Sequence, residues 1–316
     1  MGMKTIVCTK YGPPEVLIIQ EVEQPTPRND EVLIKIYATS VHRGDSRMRS
    51  LDIPGPGWQK ILARLFLGIR KPRNAVLGME LSGKIESVGK NVSRFKAGDE
   101  VFASTVWSGF GAYAEYKCMP EDGVLTLKPS NMSFAEAAVI PSGGITTLGV
   151  VKMAHIEPGQ KMLIYGASGS VGTFVVQIAK AYGAIVTGVC STANLDLVRS
   201  LGADHVIDYT KEDFTQSDEK YDIVFDAVDK VPPAEAKKSL KPHGIYLNID
   251  ASSDKIKKKD INLLLEELKD IIEAGQLTAA IDRTYPFEEI VEAHRYVDKG
   301  HKRGNVAVIV RSDELS

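Results

Sequence analysis

The spacing of apolar residues divides this chain into two kinds of structure. Over residues 4–36 the short runs TIVC, VLIIQEV and EVLIKIYA are separated by Gly12, Pro13, Pro14, Pro25 and Pro27, which predicts brief strands joined by turns. LSGKIESVG and FKAGDEVFA keep that texture, with Gly98 and Asp99 placed for a tight turn ahead of a strand. From Lys161 the pattern alternates: strand KMLIYGA, helix TFVVQIAKAYG, strand IVTGV, helix ANLDLVRSLG, strand HVIDY, strand YDIVFDAV, a short helix between Pro232 and Leu240, and strand GIYLNI. Apolar strands separated by amphipathic helices predict a parallel sheet covered on both faces. Phe174, Ile178 and Tyr182 fall at i, i+4 and i+8, one stripe that packs on the sheet. A later helix, DINLLLEELKDIIEAG, should stop at Gly275, and FEEIVEAHRYVDKG and the strand GNVAVIV follow it.

With 316 residues there is room for two packed domains, and 43% hydrophobic against 25% charged residues is the balance of a folded protein. A net charge of −2 supplies no field for phosphate backbones, so a small molecule is a better candidate partner than nucleic acid. Cys8, Cys118 and Cys190 make no CxxC pair, which argues against a disulfide framework or a thiolate metal cluster and for reduced core residues. No window reaches the ~20 apolar residues of a membrane span, so a cytoplasmic protein is expected. The run KIKKK at 255–259 reads as solvated surface.

The segment YGASGSVG at 165–172 lies between a predicted strand and a predicted helix, where a dinucleotide-binding loop belongs. Read as AxGxxG, it puts Gly169 where the backbone approaches a pyrophosphate and Gly172 where the helix packs against the strand, while the helix N-terminus offers amides and a positive dipole end. Ala167 stands where a first glycine is usual, a departure because Ala cannot take every backbone conformation open to Gly. A glycine turn with no ligand is the alternative. At the end of the next strand, GVCSTAN has no acid at 189–194. A ribose 2′-phosphate would meet no repulsion there, and Ser191, Thr192 and Asn194 could donate to it. That favours NADPH, with compensating charge from Lys211 or Arg199 rather than from the turn itself.

The run GQKMLIYGASGSVGTFVVQIAKAYGAIVTGVCST, continued by LVRSLGADHVIDY, is similar to the cofactor domain of quinone oxidoreductases and related zinc-free medium-chain reductases. LGMELSGKIESVGKNVSRFKAGDEVFA and GAYAEY resemble that family's GroES-like substrate domain, and EAHRYVDKGHKRG its C-terminal return, so the likeness spans nearly the whole chain. It implies an α/β protein with a GroES-like, mostly β substrate domain over 1–127, a Rossmann NADPH-binding domain with a doubly wound parallel sheet over 128–262, and a return to the substrate domain over 263–316. It also implies a nucleotide held between the two domains. Carried over position by position, Ser142 and Thr146 would lie near the nicotinamide, and Gly166, Ala167, Ser168, Gly169, Ser170, Val171 and Gly172 at the pyrophosphate. Ser191, Thr192, Asn194 and Tyr209 would lie at the adenosine phosphate end, and Val228 on the nicotinamide side. Tyr209 reads equally well as a half-buried aromatic at a strand end.

Zinc-dependent members of the superfamily hold their metal with a Cys, the His of a GHE motif and a second Cys. His42, Met79 within GME, and Ser142 stand at those positions, and a catalytic zinc needs about three protein ligands, so a zinc-independent reaction is expected. Zinc-free relatives commonly read NPxD where this chain reads HRGD at 42–45. His42 could donate a proton or hydrogen bond to a substrate carbonyl, since an unperturbed imidazole titrates near neutrality, or it could merely bond backbone or cofactor. Asp45 reads as a turn or helix-capping residue. After GIYLNI only DASSDKIKKK precedes the last long helix. The resemblance implies a further strand and helix there, at an edge that often pairs the sheets of a homodimer. Either that dimer contact differs here or a stretch is missing.

The function implied is hydride transfer from NADPH to a quinone or an α,β-unsaturated carbonyl acceptor, small and lipophilic. Ile61, Leu62, Leu65, Phe66 and Ile69 within WQKILARLFLGIRKP at 58–72 have helical spacing and suit either a lid over such an acceptor or a helix packed on its own domain. An enoyl-thioester or alkenal reductase is a second reading, and a binding protein that senses NADPH without turnover is a third.

Overall fold

The computed structural model describes residues 2–52, 64–65 and 67–311. Two compact units divide the chain: Met1–Ser142 with Ile281–Ser316, and Gly143–Ala280. Among the described residues the strands are β1 (Gly2–Cys8), β2 (Leu17–Glu23), β3 (Glu31–Ser40), β4 (Glu80–Val88), β5 (Glu100–Ser104), β6 (Tyr116–Pro120), β7 (Leu125–Leu127), β8 (Lys161–Tyr165), β9 (Ile185–Cys190), β10 (His205–Asp208), β11 (Tyr221–Asp226), β12 (Leu240–Asn248), β13 (Ile281–Pro286) and β14 (Asn305–Ile309). The helices are α1 (Arg43–Ser50), α2 (Phe134–Ala138), α3 (Pro141–Lys152), α4 (Ser170–Ala181), α5 (Leu195–Ser200), α6 (Pro233–Lys238), α7 (Ile249–Ser253), α8 (Ile261–Glu273) and α9 (Ile290–Asp298). The mixed α/β class and the strand–helix alternation after Lys161 agree with the apolar pattern.

In the first unit β1 and β2 pair as an antiparallel ribbon, and a larger sheet runs β13-β14-β3-β4-β5-β7, with β6 also on β3. Val32, Ile34 and Ile36 of β3 pack with Leu81, Ile85 and Val101 as one core. Because β3 runs antiparallel to β4 and β14, and β4 to β5, the end of β3, the starts of β4 and β14 and the end of β5 share one edge. α2 belongs to this unit: the ring of Phe134 stacks on Tyr37 at 4.4 Å and its carbonyl accepts from Ser82 Oγ at 2.5 Å. The division therefore falls after Ser142, not at 127/128.

The second unit holds five parallel strands in the order β10-β9-β8-β11-β12. The chain steps outward from β8 to β10, then returns to add β11 and β12 on the other side, so the order reverses beside β8. α4 buries Phe174 and Ile178, and Tyr182 at its end donates to Glu267 of α8 at 2.9 Å. Gly275, at φ +72, closes α8 as a glycine C-cap should. Gln177 accepts from the Thr278 amide at 2.9 Å and donates to its carbonyl at 3.1 Å. That clasp keeps residues up to 280 in this unit, so the second division falls at 280/281 and not at 262/263. After β12 the chain passes through α7 and a short turn straight to α8, and the sheet stops at five strands. Of the apolar stripe expected within 58–72, Ile61, Leu62 and Phe66 lie outside the described residues, while Leu65 and Ile69 are exposed.

Candidate active site

The reversal of strand order beside β8 is where open α/β sheets bind ligands, beyond the carboxyl ends of their strands. The glycine loop leaves β8 at this place. Gly166 takes φ +78, and the amides of Gly166 and Ala167 both donate to Val189 O, at 3.1 and 3.0 Å. The left-handed residue is thus Gly166, and Ala167 keeps an ordinary negative φ with its methyl fully buried. Alanine at the position of the usual first glycine is therefore no strain. A Cβ on Gly172 would lie 2.1 Å from Gly166 O, so only glycine lets α4 start this close to the loop. A Cβ on Gly169 would meet only Gly166 O, at 3.4 Å, which leaves room above it for an outside group. As the residue before α4, Gly169 offers no side-chain cap to the positive end of the helix.

Asn194 ties the neighbouring turn to this loop, donating from Nδ2 to Ser168 Oγ at 3.0 Å and Ser191 Oγ at 3.2 Å. Its Oδ1 is buried with no partner, an acceptor that a ligand hydroxyl would satisfy. Thr192 behaves differently from expectation. Its hydroxyl donates to Asp208, which also accepts from the hydroxyl and amide of Thr210. The Thr192 bond first, and the Thr210 bonds after it, hold the Asp208 carboxyl down at about 2, so it is ionised. An acid therefore does stand beside this turn, brought from the next strand because β10 pairs with β9 at Asp208↔Cys190. Lys211 lies 3.6 Å from Asp208 and offsets its charge, whereas Arg199 is paired with Asp196. Tyr209 is 53% exposed, its ring 6.3 Å from that of Tyr165, and so is open at the strand end. At the end of β11, the fully buried Asp226 accepts from the amides of Val228, Lys230 and Val231 at 3.0, 2.8 and 2.7 Å. This clamp seats Val228 against Gly166, where a Cβ would come within 2.7 Å of Val228 Cγ1. The second unit thus brings Gly166–Gly172, Ser191, Asn194, Tyr209 and Val228 together; Thr146 lies in the same unit, on α3.

The first unit gathers its own cluster at the shared sheet edge. His42 caps α1: its Nδ1 accepts from the Gly44 amide at 3.1 Å, and Asp45 returns the favour by accepting from the His42 amide at 3.0 Å. Asp45 also accepts from the Gly78 amide at 3.1 Å, so its role is the capping one. With Nδ1 an acceptor, the neutral ring carries its proton on Nε2. Burial first, then the positive charges of Lys302, Arg47 and Arg43, push the imidazole down to about 4. The expected titration near neutrality is therefore corrected: His42 is a neutral N–H donor at pH 7. Ser142 Oγ donates to Met79 O at 2.9 Å and lies 2.9 Å from Ser104 Oγ, while its amide donates to the buried Glu80 at 2.8 Å. The Met79 thioether packs on the first turn of α1, where a Cβ on Gly44 would come within 2.5 Å of its sulfur. An imidazole whose Nδ1 accepts an amide bond and whose Nε2 therefore carries the proton, a thioether and a bonded hydroxyl do not fit zinc, which takes thiolate, an unprotonated imidazole nitrogen or carboxylate. Glu80, Ser104, Lys302 and Asp208 were invisible as site residues in the sequence; only the GME motif pointed toward Glu80.

Known proteins match both units. Residues 28–129 fit the family model described as alcohol dehydrogenase GroES-like domain, and residues 201–308 the one described as zinc-binding dehydrogenase. The chloroplastic NADPH-dependent alkenal/one oxidoreductase of Arabidopsis thaliana is 32% identical, over 97% of this chain and 79% of its own length. The 2-methylene-furan-3-one reductase of Solanum lycopersicum is likewise 32% identical over 97% of this chain and 79% of its own. The solved structure of the quinone oxidoreductase from Coxiella burnetii has a TM-score of 0.83 at 27% identity, covering 98% of this chain and 100% of that one.

The two loop glycines give different expectations for stability. Gly172→Ala should destabilise the protein by about 1–3 kcal/mol in urea unfolding, because its methyl has nowhere to go. Gly169→Ala, at φ −80 with a 3.4 Å contact, should unfold like the wild type. Equal losses in both variants would contradict this reading of the loop.

Proposed function

Because the chain belongs to the medium-chain dehydrogenase/reductase superfamily, on its zinc-free, quinone oxidoreductase-like branch, we propose that it uses NADPH to reduce a quinone or an α,β-unsaturated carbonyl compound. The observation that carries the reading is the glycine loop, where Gly172 lets a helix begin against Gly166 O with no room for a Cβ, at the carboxyl edge of a parallel sheet and near an orphaned Asn194 oxygen. NADPH supplies a hydride when bound. Gly166–Gly172 hold its pyrophosphate, Ser191, Asn194, Tyr209 and Lys211 its adenosine phosphate end, and Val228 and Thr146 its nicotinamide side. Thr192 supports Asp208 instead of the phosphate. Ser142 keeps Glu80 and the start of β4 in place through its amide.

His42 acts on the acceptor. Its neutral Nε2–H donates to the carbonyl or quinone oxygen as negative charge grows there, a bond that strengthens toward the transition state. The relatives named for enone, furanone and quinone reduction support the acceptor class. All three cysteines are free, which fits a reducing compartment, and we place the chain in the cytoplasm. No helix among the described residues is long and apolar enough to cross a membrane.

A panel of quinones and enones should consume NADPH, and fluorescence titration should find NADPH bound at least about tenfold more tightly than NADH, the difference one charge-assisted phosphate contact supplies. No turnover with either acceptor class would sink the proposal, and equal affinities would remove the phosphate assignment. His42→Ala should lower kcat roughly tenfold with little effect on NADPH affinity, the loss of one hydrogen bond to a charged oxygen. Between about pH 5.5 and 7 the kcat profiles of the two proteins should have the same shape, since an imidazole held at about 4 stays neutral throughout. A limb near neutral pH that vanishes in the variant would overturn the neutral-donor role.

A further inference from the structure

Lys302 stands at the same sheet edge as His42 and has no part in the chemistry so far. β14 pairs antiparallel with β3 at Ala307↔Ser40, and the Val41 amide donates to Val306 O at 3.0 Å, so the register sets Asn305 opposite His42. Lys302 precedes β14 by three residues, and its ammonium folds toward that strand to donate to Gly304 O at 2.8 Å. On the other flank of β3, Glu80 opens β4 and bonds Ser40. Lys302 pairs with no carboxylate among the described residues, for Asp282 is taken by Tyr296 and by the Arg303 amide and guanidinium. The side chain is only half-buried. An ammonium has three N–H bonds, and one is used.

Resting on the function proposed above, we propose that Lys302 is the proton donor to the acceptor, working on the same oxygen as the His42 Nε2–H. As hydride adds to the β-carbon of an enone, the C=C π pair forms a new double bond between the α-carbon and the carbonyl carbon and the carbonyl π pair moves to oxygen, giving an enolate. His42 and Lys302 hold that oxygen. An N–H bond of Lys302 breaks as its proton passes to the enolate oxygen, the neutral amine takes a proton from water, and the enol relaxes to the saturated ketone. NADPH, the acceptor and one proton become NADP⁺ and the reduced product, so atoms and electrons balance.

The surroundings tune the lysine for this. Burial pushes its ammonium down to about 8, Glu80 and Asp282 oppose that shift, and Arg43 adds to it. After burial, the Lys302 charge is the largest influence on His42, so the two groups share one field. A lysine near 8 is still charged at pH 7 and gives up its proton more readily than a free one. Because the active form is the protonated one, kcat should be high below pH 8 and fall as pH rises through it.

The test compares wild type, Lys302→Met and Lys302→Arg with an enone, and adds a reading that needs no turnover: titration of bound 4-nitrophenol, whose yellow phenolate mimics the oxyanion. Lys302→Met should lose kcat tenfold to a hundredfold together with the limb near pH 8, and Lys302→Arg, whose guanidinium keeps its charge but does not give up a proton, should lose kcat and that limb while still lowering the phenol pKa. Wild type should bind 4-nitrophenol as the phenolate, with its pKa about one unit lower than in Lys302→Met. A Met variant with the wild-type profile and the wild-type phenol pKa overturns the assignment. Should that variant not fold, the wild type still decides: no limb near pH 8 and an unshifted phenol overturn it equally. Failure to reduce any enone or quinone, by contrast, strikes the proposed function and leaves the phenolate result to judge Lys302.

Discussion

The close approach of α4 to the turn leaving β8 is the constraint on which the second unit depends. Gly172 sits where any side chain would collide with Gly166 O, at 2.1 Å. That contact fixes where the helix begins, and so where its positive end points. Gly166 must then turn with positive φ, which leaves Ala167 free to pack as an ordinary buried methyl. The same crowding sets Val228, held by the Asp226 clamp, against Gly166. The crowding around Gly166 thus positions the loop, the helix end and Val228 together.

The first unit depends on strand register rather than on one close approach. Its antiparallel register gathers the ends of β3 and β5 and the starts of β4 and β14 at one edge. The positions that hold zinc in other members of the superfamily are given over to packing and capping: His42 to the start of α1, Met79 to its first turn, Ser142 to a serine pair and Glu80. Capping fixes the tautomer of His42, and burial with nearby cations keeps it neutral. In the proposed reaction the neutral ring donates a hydrogen bond and the ammonium a proton.

Much of this was legible in the sequence because it is local. Strand–helix alternation from Lys161, the stripe at Phe174 and Ile178, the stop at Gly275 and the glycine loop depend on spacings within a few residues, and the structure has them all. What escaped is what the sheet brings together. Thr192 and Asp208 are distant in sequence and adjacent only because β9 and β10 pair, so a search for an acid at 189–194 could not find it. Lys302 stands at the edge where β3 ends only through the register of β14. α3 was missed because PSGGITTLGVVK carries glycines and β-branched residues that disfavour a helix in isolation, where tertiary packing decides. The domain divisions shifted for a similar reason, since Phe134 and Gln177 choose their partners across long stretches of chain.

Delivery of the nicotinamide hydride to an electron-poor carbon is the central claim, and isotopic label follows it most directly. NADPH deuterated at C4 on one face, and then on the other, would be turned over with an enone in ordinary water and the product examined by NMR. Deuterium at the β-carbon from one of the two labelled faces, with the α-hydrogen drawn from solvent, is the expected result. A β-carbon free of deuterium with both labels would contradict it.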